Sequence, residues 1–405
     1  MTSKKHSIPY SIWALGAASL LLNSSSVIVF SLSPLFAKNV LGISVAIVGI
    51  LEGSIEFLSF FTRIFSGTLS DFLKKRKGII AFGYGLCFLS RPLLAMATTI
   101  GSVLIARCFD RVGNGLIAPP RDALIGDLSP PEIKGASYGL RESLSRAGAF
   151  LGSLVAMYLL WVTALNYALV FWIAAVPTAL ALLTLVMFVK DPTKSSQKAP
   201  ETVVPYTKKE RIQKICTEIL HLPSAFWLIV FLSGVFMFSS FSGAFLFYRA
   251  EQMGVSAHLS PLVMVIQNIG TVASAYPIGY LSDRIGRRSL LGLGILCVIA
   301  SNILLSLDGS IALFFFGILL WGVEIGITIS ILSVLLADAC PGRLRGTGFG
   351  LFHFVNGICL FLTNWLAGWI WENLGSAFLF YESAAFAALS GVVLLFVKPS
   401  RPSHS

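Results

Sequence analysis

Apolar residues in this chain come in long, nearly uninterrupted runs separated by short polar stretches. A helix needs about 20 mostly apolar residues to cross a bilayer core, and on that criterion the pattern predicts twelve spans. Six run over 10–36, 44–70, 78–98, 100–121, 136–161 and 165–189. Six more run over 223–248, 256–281, 289–306, 309–337, 346–370 and 375–397. The first run is too long for a cleaved signal peptide, although lysines precede it, and reads as a span. The single long polar stretch, 190–222, opens rich in Pro, Lys and Ser and continues as Lys208-Lys-Glu-Arg-Ile-Gln-Lys214. That composition predicts a linker carrying a short basic amphipathic helix. The expected fold class is all-α and polytopic: a bundle over 1–189, a linker over 190–222 and a second bundle over 223–405.

An internal repeat supports the division. Gly67-Thr-Leu-Ser-Asp71, with the basic tail Lys74-Lys-Arg-Lys77, returns 212 residues later as Gly279-Tyr-Leu-Ser-Asp283, followed by Arg284, Arg287 and Arg288. Asp127-Leu-Ser-Pro130 and Gly135-x-x-x-Gly139 line up likewise with Asp338-Ala-Cys-Pro341 and Gly346-x-x-x-Gly350. Repetition at a fixed offset fixes architecture, here two related halves. A glycine near a helix end lets a neighbour approach closely. An aspartate where the chain leaves the bilayer can meet the positive N-terminus of a facing helix or a basic side chain. For a single copy, a polar stop signal with basic anchors is the simpler alternative.

Composition narrows the class. The 405 residues are 56% hydrophobic and 12% charged, with a mean hydropathy of +0.82, which excludes an ordinary soluble domain. The net charge of +11 would suit nucleic acid, but its placement does not. Most Lys and Arg fall in the loops that lie on one side if both termini are cytoplasmic, while only Lys38 and Arg249 fall at the opposite surface. This is the positive-inside pattern of a cytoplasmic (inner) membrane protein, so no nucleic-acid partner is expected. Cys87, Cys108, Cys216, Cys297, Cys340 and Cys359 show no C-x-x-C spacing, and neither a disulfide framework nor a metal site is expected. The chain has no G-x-x-x-x-G-K-[ST] loop, H-E-x-x-H or G-x-S-x-G. It is therefore expected to be no enzyme, with no catalytic residue and no cofactor, and to draw energy from ion or solute gradients.

Charges inside spans are expensive and point to function. Glu52 and Glu56, four residues apart, share one face of span 2. They are candidates for carrying protons, or for an ion network that ties span 2 to span 4. Span 4 offers Arg107 and Arg111, also four apart, with Asp110 and Asn114 beside them. Glu324, in Trp321-Gly-Val-Glu-Ile-Gly326, has no basic residue in its own span and is a further proton candidate. Asn23, Gln267, Asn268, His353 and Asn356 can hydrogen-bond a solute or hold helices together.

The duplicated G-x-L-S-D with its basic tail, at the ends of spans 2 and 8, resembles the signature of the major facilitator superfamily of secondary transporters. Glu52-Gly53, Glu56, Gly83-Tyr84-Gly85, Asp110-Arg111-x-Gly113-x-Gly115, Pro120-Arg-Asp-Ala-Leu124, Asp127 and Gly139-Leu-Arg-x-Ser143 resemble more narrowly a largely uncharacterised prokaryotic branch. The resemblance implies two six-helix bundles around a cavity lined by spans 1, 4, 7 and 10, working by alternating access. It implies a gating set of Gly67, Asp71, Arg76, Asp127, Gly279, Asp283, Arg284, Arg287, Asp338 and Arg345. Asp71 would dock on the start of span 11 near Arg345, and Asp283 on the start of span 5 near Lys134. Departures are Phe72 and Lys74 in the first tail, and Asn114, Ile117 and Ser145 where the branch commonly carries charges. Arg146 is an added charge. The expectation is a monomeric, proton-coupled secondary transporter of a small organic solute, with efflux ahead of uptake. An uptake symporter for a metabolite and a transporter-like receptor that moves nothing are the alternatives.

Overall fold

A computed structural model describes residues 8–73, 76–130, 133–189, 223–340 and 345–396, and among these the backbone alone of 67–73, 134–135, 275–285, 329–330, 333–334, 337–338 and 345–347. The first half forms α1 (Tyr10–Asn39), α2 (Val45–Leu73), α3 (Arg76–Ala95), α4 (Ile100–Leu128), α5 (Lys134–Val162) and α6 (Tyr167–Phe188). The second forms α7 (Ser224–Met237), α8 (Gly243–Gln252), α9 (Leu262–Ile285), α10 (Arg287–Ser306), α11 (Ile311–Ala339), α12 (Arg345–Asn373) and α13 (Ser376–Leu394). Among the described residues nine helices are long and apolar enough to cross a membrane. The chain is an all-α, multi-pass membrane protein. The expected amphipathic helix at 208–214 lies outside the described residues.

One expected span is two helices. The apolar run 223–248 reads as continuous, yet α7 stops at Met237 and α8 starts at Gly243. Serines account for the break: the Ser239 hydroxyl donates to the Phe236 carbonyl at 2.6 Å, and Ser242 caps α8 by accepting from the Ala244 amide at 3.3 Å. Irregular backbone at membrane depth is tolerated only where protein surrounds it. Ser239, Phe241 and Ser242 are all buried.

The chain divides into two compact units, Met1–Gln197 with Ser242–Asn268, and Lys198–Phe241 with Ile269–Ser405. In the first, α1 packs on α5 and α6, and α4 on α2 and α3. Glycines set the spacing. A Cβ on Gly83 would meet the Gly113 carbonyl oxygen at 2.8 Å, so α3 and α4 run backbone to backbone there. Gly148 and Gly152 lie in the same way against the α1 backbone at Leu20 and Ser24. Small residues are the usual means of such close approach between membrane helices. Apolar side chains of α1, α3, α4 and α6, among them Leu15, Ile80, Tyr84, Ile117 and Leu185, close the core. In the second unit α10 packs on α11 and α13, around a core that includes Phe226, Ile295, Ile327 and Leu336.

Candidate functional site

Gly115 is the reason α2 and α4 can exchange charges. A Cβ there would lie 2.7 Å from the Thr62 Cβ and 3.1 Å from the Ser59 carbonyl oxygen. The Ser66 hydroxyl donates to the Gly115 carbonyl at 2.9 Å across the same contact. With the helices this close, the two stripes expected from spacing meet: Arg107 Nη2 reaches Glu52 Oε1 at 3.0 Å and Oε2 at 3.2 Å, and Arg111 Nη2 reaches Glu56 Oε1 at 2.9 Å. The pairs differ in access. Arg107 and Glu52 are each 1% exposed, whereas Arg111 and Glu56 are 17% and 23% exposed. The Phe30 ring of α1 lies under both guanidinium groups, 5.8 Å from Arg107 and 5.5 Å from Arg111.

Asp110 turns to the other side of α4. It pairs with Arg91 of α3, a fully buried residue. The Arg91 guanidinium also donates to Ser25 Oγ at 2.9 Å, Ser26 Oγ at 3.0 Å, Ser90 Oγ at 2.6 Å and the Cys87 carbonyl at 2.6 Å. One side chain thereby joins α1, α3 and α4. Asn114 Nδ2 donates to the Asp110 carbonyl at 2.9 Å. In the sequence Arg91 shows only as a charge inside an apolar run, a signal of function that names no partner.

A third set of contacts holds α8 on the first unit. Ser242 Oγ donates to Glu52 Oε2 at 3.2 Å, and Tyr248 Oη to the Pro34 carbonyl at 2.8 Å. Glu251 accepts from Lys38 Nζ at 2.9 Å and Asn39 Nδ2 at 2.6 Å. Phe247 meets the edge of Phe30 at 6.3 Å. Glu52 is thus shared between α4 and the head of α8.

The other candidates are scattered. Asn23 donates to Ser145 on α5. Gln267 and Asn268 are half-buried on α9 and His353 on α12, the last beside the Phe349 and Phe352 rings at 6.3 and 5.5 Å. Asn356 Oδ1 accepts from Ser233 Oγ at 3.0 Å. Glu324 is 3% exposed on α11 and has no ion pair among the described residues; Cys297 of α10 is within its electrostatic reach. Glu382 of α13, which the sequence reading passed over, has a shielded Oε1 without a hydrogen-bond partner among the described residues. Of the gating set, Arg76 pairs with Asp127 at 2.6 Å and Arg287 is half-buried. Gly67, Asp71, Gly279, Asp283, Arg284, Asp338 and Arg345 are described by their backbone alone.

Comparison with known proteins supplies the context for this geometry. The sequence profile of the Major Facilitator Superfamily matches residues 14–267 and 244–405. An uncharacterized MFS-type transporter of Methanocaldococcus jannaschii, MJ1317, is 26% identical over 394 residues, 95% of this chain and 94% of that one. The quinolone resistance protein NorA of Staphylococcus aureus is 24% identical over 229 residues, 56% of each chain. The crystal structure of the nucleoside transporter NupG superposes with a TM-score of 0.79 at 14% identity, covering 96% of this chain and 99% of that one. Matched over nearly its whole length by the family's sequence pattern and fold, the chain belongs to the Major Facilitator Superfamily and is a secondary transporter.

Proposed function

We propose that the protein moves a small organic solute across the cytoplasmic (inner) membrane by alternating access, coupled to protons, with export favoured over uptake. Bundles over 1–189 and 223–405, joined by a cytoplasmic linker over 190–222, would rock about the solute, both termini lying in the cytoplasm and the chain acting as a monomer. The observation that carries the reading is Glu52, a buried carboxylate held at once by Arg107 and by Ser242 at the head of α8. A carboxylate that takes up a proton loses its charge-assisted bond to arginine and one of its acceptor sites. Protonation at Glu52 would then loosen α4 and α8 together, which is what coupling a proton to helix movement requires. Glu56 and Glu324 are the further proton candidates, Glu324 because it is buried with no ion pair among the described residues. Similarity to NorA over its matched region supports export.

The test is flux in proteoliposomes under an imposed pH gradient, with solutes found by thermal-shift screening of the purified protein. Export by proton exchange predicts solute movement against the proton gradient, and uptake predicts movement with it. Glu52→Gln is expected to abolish dependence on the pH gradient while facilitated exchange of solute persists. Full gradient dependence in Glu52→Gln, Glu56→Gln and Glu324→Gln alike would overturn proton coupling at these sites. Binding with no flux in any direction would favour a receptor.

A further inference from the structure

We infer that the solute carries an oxyanion, a carboxylate, phosphonate or sulfonate, and that Arg63, Arg111 and Arg107 on α2 and α4 hold it. The inference rests on the transport reading and names the solute's charge.

The face shared by α2 and α4 has an excess of positive charge. Its carboxylates Glu52 and Glu56 are matched by Arg107 and Arg111, Asp122 of α4 by Arg121 and Arg141, and Asp110 is turned away to Arg91. Arg63 remains. It lies seven residues beyond Glu56, so it continues the same stripe of α2. It is exposed, its guanidinium is 5.6 Å from the Phe60 ring, and it makes no hydrogen bond or ion pair with any described residue. Glu56 and Asp122 lie within electrostatic reach of it but form no ion pair with it among the described residues, and a guanidinium in a spanning helix without a paired carboxylate is costly unless water or a ligand reaches it.

The neighbouring arginines also keep donors in reserve. Among the described residues Arg107, 1% exposed, bonds Glu52 through Nη2 alone, and its shielded Nε and Nη1 have no hydrogen-bond partner there. Arg111 Nε is likewise shielded and has no hydrogen-bond partner among the described residues. Buried donors left without acceptors are destabilising, and an acceptor that reaches them relieves that cost. Guanidinium groups offer paired, coplanar N–H donors that fit two oxygens of a carboxylate or phosphonate. Phe30, lying under both guanidinium groups, adds a flat apolar surface for the organic body of the same molecule. A cationic solute would meet three guanidiniums here, and the acids that could receive it already have partners. Glu324 and Glu382, which have no ion pair among the described residues, belong to the other unit.

The experiment measures binding apart from flux. Purified wild-type protein in nanodiscs is titrated with phenylacetate, phenylphosphonate and benzenesulfonate, and with phenylacetamide and phenethylammonium as neutral and cationic counterparts, and stabilisation is read by thermal shift. At least one anion is expected to stabilise the protein where its neutral and cationic counterparts do not. Arg63→Gln removes a side chain without a hydrogen bond and is expected to weaken that binding at least tenfold while leaving the unliganded melting temperature unchanged. Arg111→Lys, which keeps the charge but loses the paired donors, is expected to weaken it by a smaller factor. Stabilisation by phenethylammonium alone, by none of the three anions, or equally in Arg63→Gln and wild type overturns the assignment. Anion binding without counterflow of the bound anion would keep the assignment and remove transport; counterflow of cations alone would do the reverse.

Discussion

A single buried arginine ties the first unit together at the level of side chains. Arg91 meets Asp110 and four other acceptors on α1 and α3, so neither charge of the pair is left without a counterpart. Removing one partner of a buried, hydrogen-bonded pair typically costs about 3–5 kcal/mol, because the other charge stays behind. Arg91→Met is therefore expected to lower the melting temperature of the purified protein sharply. Arg91→Met combined with Asp110→Asn should recover part of the loss, since no net charge is then stranded. Glu56→Gln, at a pair that is 17% and 23% exposed, should cost much less. Equal melting of wild type and Arg91→Met would show that the network is not structural. The sequence displayed every one of these charges but not their pairing. Arg107 and Arg111 read as one stripe, whereas Asp110 between them faces another helix, and a linear sequence does not say which helix lies on which side.

Helices in the first unit approach through glycine, and the break in the seventh span is made by serine. Gly148 and Gly152 hold α5 on α1, and the Ser24 hydroxyl donates to the Gly148 carbonyl at 2.9 Å in the same contact. A larger side chain at Gly148 has no space, and overpacking a tight contact costs about 1–3 kcal/mol. Gly148→Leu is expected to destabilise the first unit by about that amount, or to block assembly. By contrast Gly139, also on α5, has open space where a Cβ would go. There Gly139→Ala should stabilise by up to about 1 kcal/mol through helix propensity alone. Paired thermal melts of the two variants test this, and equal destabilisation would reject the packing argument. The helices and their approximate limits were legible because long apolar runs report membrane length directly, and among the described residues nine of them are long and apolar enough to cross a membrane. The break in the seventh span was not, because 223–248 stays apolar throughout. Its cause is hydrogen bonding by Ser239 and Ser242, and the consequence is that α8 belongs with the first unit by contact though it follows α7 in sequence.

At the scale of the whole chain, the duplicated Gly-x-Leu-Ser-Asp motif sets two equivalent positions against each other, and the two are not equivalent in detail. The first tail carries Phe72 and Lys74 where the family pattern has arginine and glycine, while the second keeps Asp283-Arg-Ile-Gly-Arg-Arg288. In the first tail Arg76 is engaged by Asp127 at 2.6 Å, within its own unit. In the second, Arg288 donates to the Leu395 carbonyl at 2.9 Å, which holds the start of α10 to the end of α13. If each aspartate docks on a facing helix start, as the family resemblance implies, the negative charge is what the helix dipole and nearby arginine recognise. Replacing it with asparagine keeps the shape and removes that attraction. Asp71→Asn and Asp283→Asn should therefore both reach the membrane at wild-type levels and both transport more slowly. The loss should be greater for Asp283→Asn, whose tail keeps the full pattern, than for Asp71→Asn, whose tail departs from it. Initial rates of solute counterflow, normalised to protein in the same proteoliposomes, measure both. Wild-type rates in both variants would refute docking, and a greater loss in Asp71→Asn would show that the altered tail is the more demanding of the two gates.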